Sequence, residues 1–170
     1  MNFIDARSPK GIRVSQPVVD PKGAGLIYPD MPCFLRDGRS FVFLGSDGPK
    51  ICYLGRKVRT RKLFEDGKRR SVVVTFDGRF AYYAEHSDRK GGSVTLFRKN
   101  LETFRSEKLF QAQGKLPGTT LPAKKFGPST VSADNRRVAT GIWLGDGKTK
   151  DAPIGIVVLD LDSGQARIVA

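Results

Sequence analysis

The sequence is poor in the residues that many enzymes use for chemistry. It has one histidine, His86, and two cysteines, Cys33 and Cys52, among 170 residues. This excludes a histidine-rich zinc site, and any Ser-His-Asp or Cys-His mechanism would depend on His86 alone. Two cysteines are too few for a disulfide framework. The sequence also lacks a Walker-type phosphate loop, an HExxH motif and a calcium-binding loop.

Long hydrophobic runs are absent as well. No apolar stretch approaches the roughly 20 residues that a membrane-spanning helix requires. The opening segment Met1–Arg7 has neither the apolar core nor the small-residue cleavage site of a secretory signal. We therefore expect no membrane partner and a cytoplasmic location, with the periplasm as the alternative.

Acidic residues are scarce relative to basic ones. The 17 Asp and Glu residues oppose 30 Lys and Arg residues, which gives a formal net charge of +13. Such a charge attracts an anionic partner, namely nucleic acid, an acidic membrane surface or an acidic polysaccharide, although an inert solvated surface is the other interpretation. The chain carries no RNP-type aromatic motif, helix-turn-helix pattern or zinc knuckle, so nucleic acid is a disfavoured partner.

A pattern of short strands separated by turn residues occurs three times along the chain. In the first copy the predicted strands are Met31–Arg36, Phe41–Leu44, Ile51–Leu54 and Arg59–Phe64. The first hairpin turn of each copy is Asp37-Gly38, Asp77-Gly78 or Asp134-Asn135. We expect loops at His86–Gly92 and at Gln111–Lys125, and a first strand of the third copy at Ser129–Ala133.

Four-stranded units that recur every ~40–50 residues are typical of β-propeller blades. The sequence therefore predicts an all-β fold, a β-propeller of about three four-stranded antiparallel blades that form an incomplete part of a ring. A small sandwich or barrel is the alternative. The predicted segments are 12–27 (closing strand and linker), 28–70 (blade 1), 71–113 (blade 2) and 114–170 (inserted loop and blade 3).

Two consequences follow from the predicted blades. Three blades cannot close a ring, so we expect both end sheets to expose apolar faces through which the chain self-associates. Cys33 and Cys52 lie on the first and third strands of one blade, about 10 Å apart, which is beyond the reach of a disulfide. We therefore expect both cysteines to be reduced.

The chain resembles the oligogalacturonate lyases, the propeller lyases of pectin breakdown. Cys33–Phe43, followed by Ser46–Pro49 and Tyr53, is similar to the first blade of that family. Leu96–Phe104 and Ile156–Ala166 are similar to hairpins of its second and third blades, and Gly11–Val14 resembles the N-terminal strand that closes the ring. Strand–Asp-Gly–strand hairpins also occur in TolB-like propellers, which act as non-catalytic binding scaffolds.

The resemblance implies a seven-bladed ring that cleaves pectin-derived oligogalacturonides by β-elimination. It also implies a divalent metal, typically manganese, held by a His/Gln cluster in blades beyond position 170. No metal ligand or catalytic residue is therefore expected within this sequence, which we expect to be inactive by itself. Relatives tend to have a histidine before the first-blade strand, whereas this chain has Leu26–Asp30 there. The alternative is a non-catalytic TolB-like propeller that binds an acidic polysaccharide or a protein partner.

The candidate substrate-binding residues lie in predicted loops on one rim of the propeller. Propeller ligands usually meet the loops that precede the first strand of a blade and those that join its second and third strands. Basic residues are frequent there, at Lys50, Lys68–Arg70, His86, Arg89-Lys90, Lys124-Lys125, Lys148 and Lys150. We expect Arg69, Arg70, His86 and Arg89 to contact an acidic oligosaccharide, although a single loop histidine such as His86 is more often a solvated surface residue. Tyr82, Tyr83 and Trp143 are candidates for sugar stacking or for packing between blades.

Overall fold

The protein consists of β-strands and turns in all of its described parts. The computed structural model describes residues 2–3, 14–15, 20, 22–27, 32–66, 71–87, 93–113, 123–144 and 154–169. The strands are β1 (Asn2–Phe3), β2 (Val14–Ser15), β3 (Gly25–Leu26), β4 (Ser40–Gly45), β5 (Gly48–Tyr53), β6 (Arg59–Lys62), β7 (Val72–Val74), β8 (Phe80–Ser87), β9 (Ser93–Asn100), β10 (Ser106–Gln113), β11 (Ala123–Val131), β12 (Arg137–Leu144), β13 (Ile154–Asp160) and β14 (Ala166–Val169). Within these residues no helix has the length and apolar character needed to cross a bilayer.

Twelve of these strands form three four-stranded antiparallel sheets. Blade 1 is β3-β4-β5-β6, blade 2 is β7-β8-β9-β10, and blade 3 is β11-β12-β13-β14, each with its strands paired in chain order. A separate two-stranded sheet pairs β1 with β2. The prediction of an all-β fold built from about three four-stranded blades is confirmed.

The first strand of blade 1 differs from its prediction. We expected a strand at Met31–Arg36, but the ladder begins with Gly25 opposite Leu44 and Leu26 opposite Phe43. Among the described residues that follow, it resumes at Phe34, which bridges to Phe41. Two prolines, at positions 29 and 32, lie in the intervening segment, and a proline cannot donate the amide hydrogen that a continuous ladder requires.

Two predicted loops are shorter than expected because strands extend into them. β8 continues through His86, whose backbone pairs with Val94, so His86 belongs to a strand and not to a loop. The expected loop at Gln111–Lys125 loses both its ends to strands, since β10 runs to Gln113 and β11 begins at Ala123, and its middle lies outside the described residues. The strand expected at Ser129–Ala133 is present but begins six residues earlier and ends at Val131. The register of β11 shifts between Phe126 and Ser129, so a bulge accommodates the intervening Gly-Pro pair. The bulge interrupts the alternation of side chains from which a strand is predicted.

The hydrophobic core lies between the blades, which pack face to face. Successive residues of a strand point to opposite faces of its sheet. Val72 and Val74 of β7 accordingly join the cluster shared with blade 1, whereas Val73 joins the cluster shared with blade 3. Likewise, Tyr82 joins the cluster shared with blade 3 and Tyr83 joins the cluster shared with blade 1, and both are buried. These tyrosines therefore pack between blades and present no surface on which a sugar can stack.

The outward faces of the first and last blades differ in exposure. On blade 3, Ile154, Ile156 and Val169 point away from blade 2 and are 63%, 49% and 38% exposed. On blade 1, Phe43 and Cys52 also point away from blade 2, yet they are only 3% and 0% exposed. Phe34, which lies beside Phe41 on the same outward face of blade 1, is 53% exposed. Apolar side chains are thus exposed at both ends, with more of them at blade 3.

Both cysteines carry free thiols, as predicted. Cys52 is buried in β5 and Cys33 is partly buried, and neither forms a disulfide. Burial raises the pKa of both thiols, which disfavours the reactive thiolate at neutral pH.

Candidate functional site

Each blade presents two ends to its surroundings. We call one end the turn rim, because it holds the first and third turns of each blade, at residues 36–39 and 54–58, 76–79 and 101–105, and 133–136 and 161–165. The opposite end, the connection rim, holds the turn between the second and third strands and the connections between blades. The predicted ligand contacts belong to the connection rim.

Most of the predicted substrate-binding side chains lie outside the described residues. This applies to Arg69, Arg70 and Arg89. The backbone of His86 lies near the connection-rim end of β8, opposite Val94. These four residues stay predicted contacts.

At blade 1, the described part of the connection rim contains a cluster of balanced charge. Lys50 Nζ lies 2.6 Å from Asp47 Oδ1 and 3.8 Å from Asp20 Oδ2, and Lys62 Nζ lies 3.2 Å from Asp47 Oδ2. Lys50 was predicted to add positive charge to this rim, but two carboxylates neutralise it. We call these four residues the Asp–Lys cluster.

Asp20 connects the segment before β3 to blade 1. Its side chain is 6% exposed. Its Oδ2 accepts hydrogen bonds from the backbone N and the Oγ of Ser46 at 3.0 and 3.1 Å, and its Oδ1 accepts one from Lys22 N at 3.0 Å. These bonds, with the Ser46 amide as the largest contribution, hold the pKa of Asp20 below its usual value. The arrangement is a structural clamp on the turn between β4 and β5.

The Asp–Lys cluster predicts a loss of stability in acid. The hydrogen bond from Lys50 is the largest cause that lowers the pKa of Asp47 from 3.8 to about 2. A carboxyl whose pKa is lowered by folding stabilises the protein above its unfolded pKa, and this contribution disappears as the pH falls through the folded pKa. We expect the melting temperature to fall as the pH is lowered from 3.8 towards 2, and Asp47→Asn to flatten this dependence. Glu65→Gln, which removes an exposed carboxylate outside the cluster, serves as the control. Equal acid slopes in wild type and Asp47→Asn would contradict the prediction.

A cleft of about 870 Å³ lies between blades 1 and 2 at the turn rim. Turns and strand ends of both blades line it, including Leu35, Arg36, Asp37, Tyr53, Arg61, Arg79, Phe80, Glu102 and Phe104. Its volume lies within the range of small-molecule binding pockets. We call it the inter-blade cleft.

The cleft forms where the first turns of two blades touch each other. Gly78 adopts φ +65°, and its carbonyl oxygen accepts a hydrogen bond from Arg36 N at 3.3 Å. A Cβ atom at Gly78 would lie 2.4 Å from Arg36 N and 2.5 Å from the carbonyl carbon of Leu35. Only glycine permits this close approach, so the Asp-Gly turn of blade 2 also determines how closely the two blades pack.

Phe104 has an unusual backbone conformation at the edge of the cleft. Its φ is +60°, in the left-handed region that bulky residues rarely adopt, and its N donates to Asn100 O at 2.9 Å. The corresponding turn of blade 3 uses glycine, since Gly164 has φ +68° and its N donates to Asp160 O at 2.9 Å. Blade 2 therefore places an aromatic ring where blade 3 has glycine.

The ring of Phe104 contacts cations of both blades. The guanidinium carbon of Arg61, from blade 1, lies 3.6 Å from the ring centroid. Lys99 Nζ lies 5.6 Å from the same centroid and donates a hydrogen bond to Phe104 O at 2.9 Å. These cation–π contacts join the two blades and offset the backbone strain.

Phe104 permits the backbone strain and the ring contacts to be measured separately. Phe104→Gly removes both, whereas Phe104→Ala removes the ring and keeps a Cβ atom in the left-handed region. Because that conformation costs an L residue roughly 1–2 kcal/mol, we expect the glycine variant to be more stable than the alanine variant by about 1 kcal/mol. Chemical denaturation of both variants measures the difference. An alanine variant as stable as the glycine variant would show that Phe104 is not strained.

Three arginines and two acids line the cleft, namely Arg36, Arg61 and Arg79 with Asp37 and Glu102, so it carries an excess of one positive charge. Arg36 and Arg61 have no acidic partner within the described residues, and Arg79 Nε lies 3.7 Å from Asp77 Oδ2. The oxygens of Asp37 accept hydrogen bonds from Arg39 N, Ser40 N and Ser40 Oγ at 2.6–2.9 Å. Burial acts to raise the pKa of Asp37, but these hydrogen bonds outweigh it and hold the pKa below its usual value. Chemically, the cleft is suited to bind an anion.

Sequence reasoning missed the inter-blade cleft. Arg36, Arg61 and Phe104 are far apart along the chain, and only the packing of blade 2 on blade 1 brings them together. One signal was present: arginine follows each first turn, at Arg39, Arg79 and Arg136. Within the described residues, no group of three or more His, Cys, Asp and Glu residues is arranged to hold a metal ion.

Comparison with known proteins identifies the fold. No protein-family model and no curated protein matches the sequence. Among solved structures, the oligogalacturonate lyase of Vibrio parahaemolyticus matches with a TM-score of 0.67 and 14% identity, over 100% of this chain and 46% of the lyase chain. TolB from Acinetobacter baumannii matches with a TM-score of 0.50 and 21% identity, over 81% of this chain and 31% of the TolB chain.

These similarities assign the chain to the β-propeller fold. They agree with the resemblance drawn from the sequence motifs. At 14% and 21% identity they concern the fold and not the activity. The chain spans less than half the length of either structure.

Proposed function

We propose that the chain supplies three blades of a propeller that binds pectin-derived oligogalacturonides and that the complete protein cleaves them by β-elimination. The observation that carries the proposal is the structural similarity to an oligogalacturonate lyase over the whole length of this chain. The net charge of +13 supports it, because oligogalacturonate carries a carboxylate on every sugar.

The proposed role of this chain is to bind and orient the substrate. β-Elimination removes the proton α to the C5 carboxylate, and neutralising that carboxylate makes the proton more acidic. Arg69, Arg70, His86 and Arg89 are the proposed contacts at the connection rim. A manganese ion, as the resemblance implies, finds no suitable ligand set among the described residues, so no step is assigned to it here. The proton-abstracting group and the metal ligands are proposed to lie beyond residue 170.

Titration calorimetry on the 170-residue chain tests the binding part of the proposal. We expect trigalacturonate to bind, maltotriose of similar size but without charge to give no heat, and added salt to weaken binding. Arg69→Gln together with Arg70→Gln should weaken it further. Duplex DNA that binds as tightly as trigalacturonate would contradict the proposal and favour a nucleic-acid partner.

The lyase part of the proposal requires the complete protein. β-Elimination creates a conjugated double bond, so product formation is followed by ultraviolet absorbance on digalacturonate, with and without added manganese. The similarity to TolB over 81% of the chain favours a second candidate, a non-catalytic propeller that binds an acidic polysaccharide or a protein. Binding without any rise in absorbance would support this second candidate.

The exposed face of blade 3 is proposed to drive self-association of the chain. Ile156 lies in this face and is 49% exposed. We expect sedimentation velocity to show concentration-dependent association of the wild-type chain and Ile156→Lys to suppress it. Leu54→Lys, which makes the same chemical change in a turn of blade 1, is the control and should associate like the wild type. A wild-type chain that stays monomeric across the concentration series would refute this.

A further inference from the structure

The inter-blade cleft lies at the rim opposite the proposed substrate contacts. We propose that it is a second binding site, which takes a carboxylate-bearing sugar through Arg36 and Arg61. This inference rests on the proposed function for the identity of the sugar. It concerns other residues and another surface of the propeller.

The shape of the cleft is set by contacts between two blades. The hydrogen bond from Arg36 N to Gly78 O closes it where the two turns touch. Blade 1 contributes Tyr53 and Arg61 to its lining, and blade 2 contributes Phe80. A pocket with apolar ring surfaces and a few charged groups is the usual form of a small-molecule site.

The charges of the cleft differ from those of the corresponding turns in blade 3. There, Arg136 directs two nitrogens at one oxygen of Asp162, with Nε at 2.8 Å and Nη2 at 2.7 Å. In the cleft, Arg36 and Arg61 have no such carboxylate within the described residues. Glu102 of blade 2 corresponds to Asp162 and also lines the cleft, but no ion pair joins it to Arg36 or Arg61 within the described residues. These two guanidinium groups can therefore pair with an external carboxylate.

Phe104 is the residue that positions Arg61. A guanidinium stacked on an aromatic ring keeps its N–H groups in their common plane, where they can donate to a carboxylate with bidentate geometry. Arg61 lies over the ring in this way, with its guanidinium carbon 3.6 Å from the centroid. Residues held in sparsely populated backbone conformations concentrate at binding sites, and Phe104 at φ +60° is such a residue.

The cleft favours a sugar acid over a bare anion. The planar fork of arginine matches a carboxylate. The ring of Tyr53, on the side of blade 1 that faces blade 2, adds apolar surface against which the C–H face of a sugar ring can pack. Citrate and inorganic phosphate supply the charge without the sugar ring. Comparing their binding with that of trigalacturonate therefore separates charge pairing from packing of the ring.

Calorimetry with trigalacturonate on the 170-residue chain and matched variants tests the inference. We expect Arg36→Gln and Arg61→Gln each to weaken binding at the cleft about five- to tenfold. Arg105→Gln removes the same charge from the same rim outside the cleft lining and should change binding less than about twofold. Arg61→Lys keeps the charge but loses the planar guanidinium group. It should therefore bind trigalacturonate as weakly as Arg61→Gln does. Since Arg36 is exposed, its variant should fold normally, which a melting curve checks.

The positioning role of Phe104 has its own readout. Phe104→Gly should weaken trigalacturonate binding although both arginines are retained, and Phe104→Tyr, which keeps a ring, should restore it. If Phe104→Gly binds like the wild type, Arg61 does not depend on the ring.

The remaining outcomes separate this inference from the proposed function. Suppose that the double variant Arg69→Gln/Arg70→Gln loses trigalacturonate binding while the cleft variants bind like the wild type. This result would overturn the second site and leave the proposed function intact. If Arg105→Gln weakens trigalacturonate binding as much as the cleft variants do, the effect is general charge attraction and the second site is overturned. If citrate or phosphate binds as tightly as trigalacturonate, the preference for a sugar is overturned. Loss in the cleft variants with no effect of Arg69→Gln/Arg70→Gln would support the cleft and count against the proposed connection-rim contacts. No binding of trigalacturonate at all would overturn both proposals.

Discussion

Replacing Gly78 with alanine should destabilise the protein by about 3 kcal/mol, because the new Cβ atom meets two obstacles at once. The first is the backbone conformation, since Gly78 has φ +65°. The second is blade 1, whose backbone atoms Arg36 N and Leu35 C would lie 2.4 and 2.5 Å from the added carbon. Backbone atoms cannot move aside as a flexible side chain can, so the two turns must separate and the hydrogen bond between them is lost.

Gly38→Ala is the matched control for this prediction. Gly38 occupies the same turn position in blade 1, with φ +61°, but a Cβ atom there has no neighbour within 4 Å. Its substitution should therefore cost only the conformational strain, roughly 1–2 kcal/mol. Denaturant unfolding of both variants measures the difference. Equal losses would mean that the contact between the first turns does not stabilise the packing of blades 1 and 2.

Gly78 also illustrates why the turns could be predicted from the sequence. The Asp of each first turn accepts a hydrogen bond from an amide two residues later, at Arg39, Arg79 and Arg136. This chemistry involves neighbours in the chain alone, so a local pattern is sufficient to reveal it. The partner of Gly78 in blade 1 is distant in sequence, and no local pattern indicates it.

The strands were predicted well where the pattern was regular and poorly where the ladder was interrupted. In β11 the register shifts between Phe126 and Ser129, and in blade 1 the first strand is divided around Pro32. Bulges and interrupted strands break the alternation of apolar and polar residues. Their positions depend on the partner strand, which a single sequence does not provide.

The candidate site was the least predictable feature for the same reason. The cationic loops of the connection rim led to the prediction that ligands bind there. In the structure, however, Asp47 and Asp20 neutralise the charge of Lys50 at this rim. Arg36 belongs to no run of charges, and Arg61, although part of the basic run Arg59–Lys62, was predicted to lie in a strand away from the ligand face. Their importance comes from the absence of acidic partners within the described residues, and only the packing of the blades reveals this.

The two adjacent tyrosines of β8 should show that the blades are coupled through separate interfaces. Tyr82 is 1% exposed and packs in the cluster shared with blade 3. Tyr83 packs in the cluster shared with blade 1, with its ring centroid 5.2 Å from that of Phe97 and 4.5 Å from that of Phe64. Truncating a buried aromatic residue to alanine costs about 3–5 kcal/mol. We expect Tyr82→Ala and Tyr83→Ala each to lose this amount of stability. Tyr82→Ala should weaken the interface with blade 3, and Tyr83→Ala the interface with blade 1.

The single tryptophan allows the two losses to be distinguished. Trp143 lies on β12 of blade 3, so its fluorescence follows that blade, whereas circular dichroism follows all strands. Stacked repeats are coupled mainly to their nearest neighbours, so a weakened interface releases the blade beyond it. In Tyr82→Ala, the Trp143 signal should therefore unfold at a lower denaturant concentration than the dichroism signal. In Tyr83→Ala, blade 1 should be released first and the Trp143 signal should change last. Coincident transitions in both variants would instead mean that the three blades unfold as one cooperative unit. Tyr82→Phe, which keeps the ring, should stay close to the wild type and establish that the effect comes from packing.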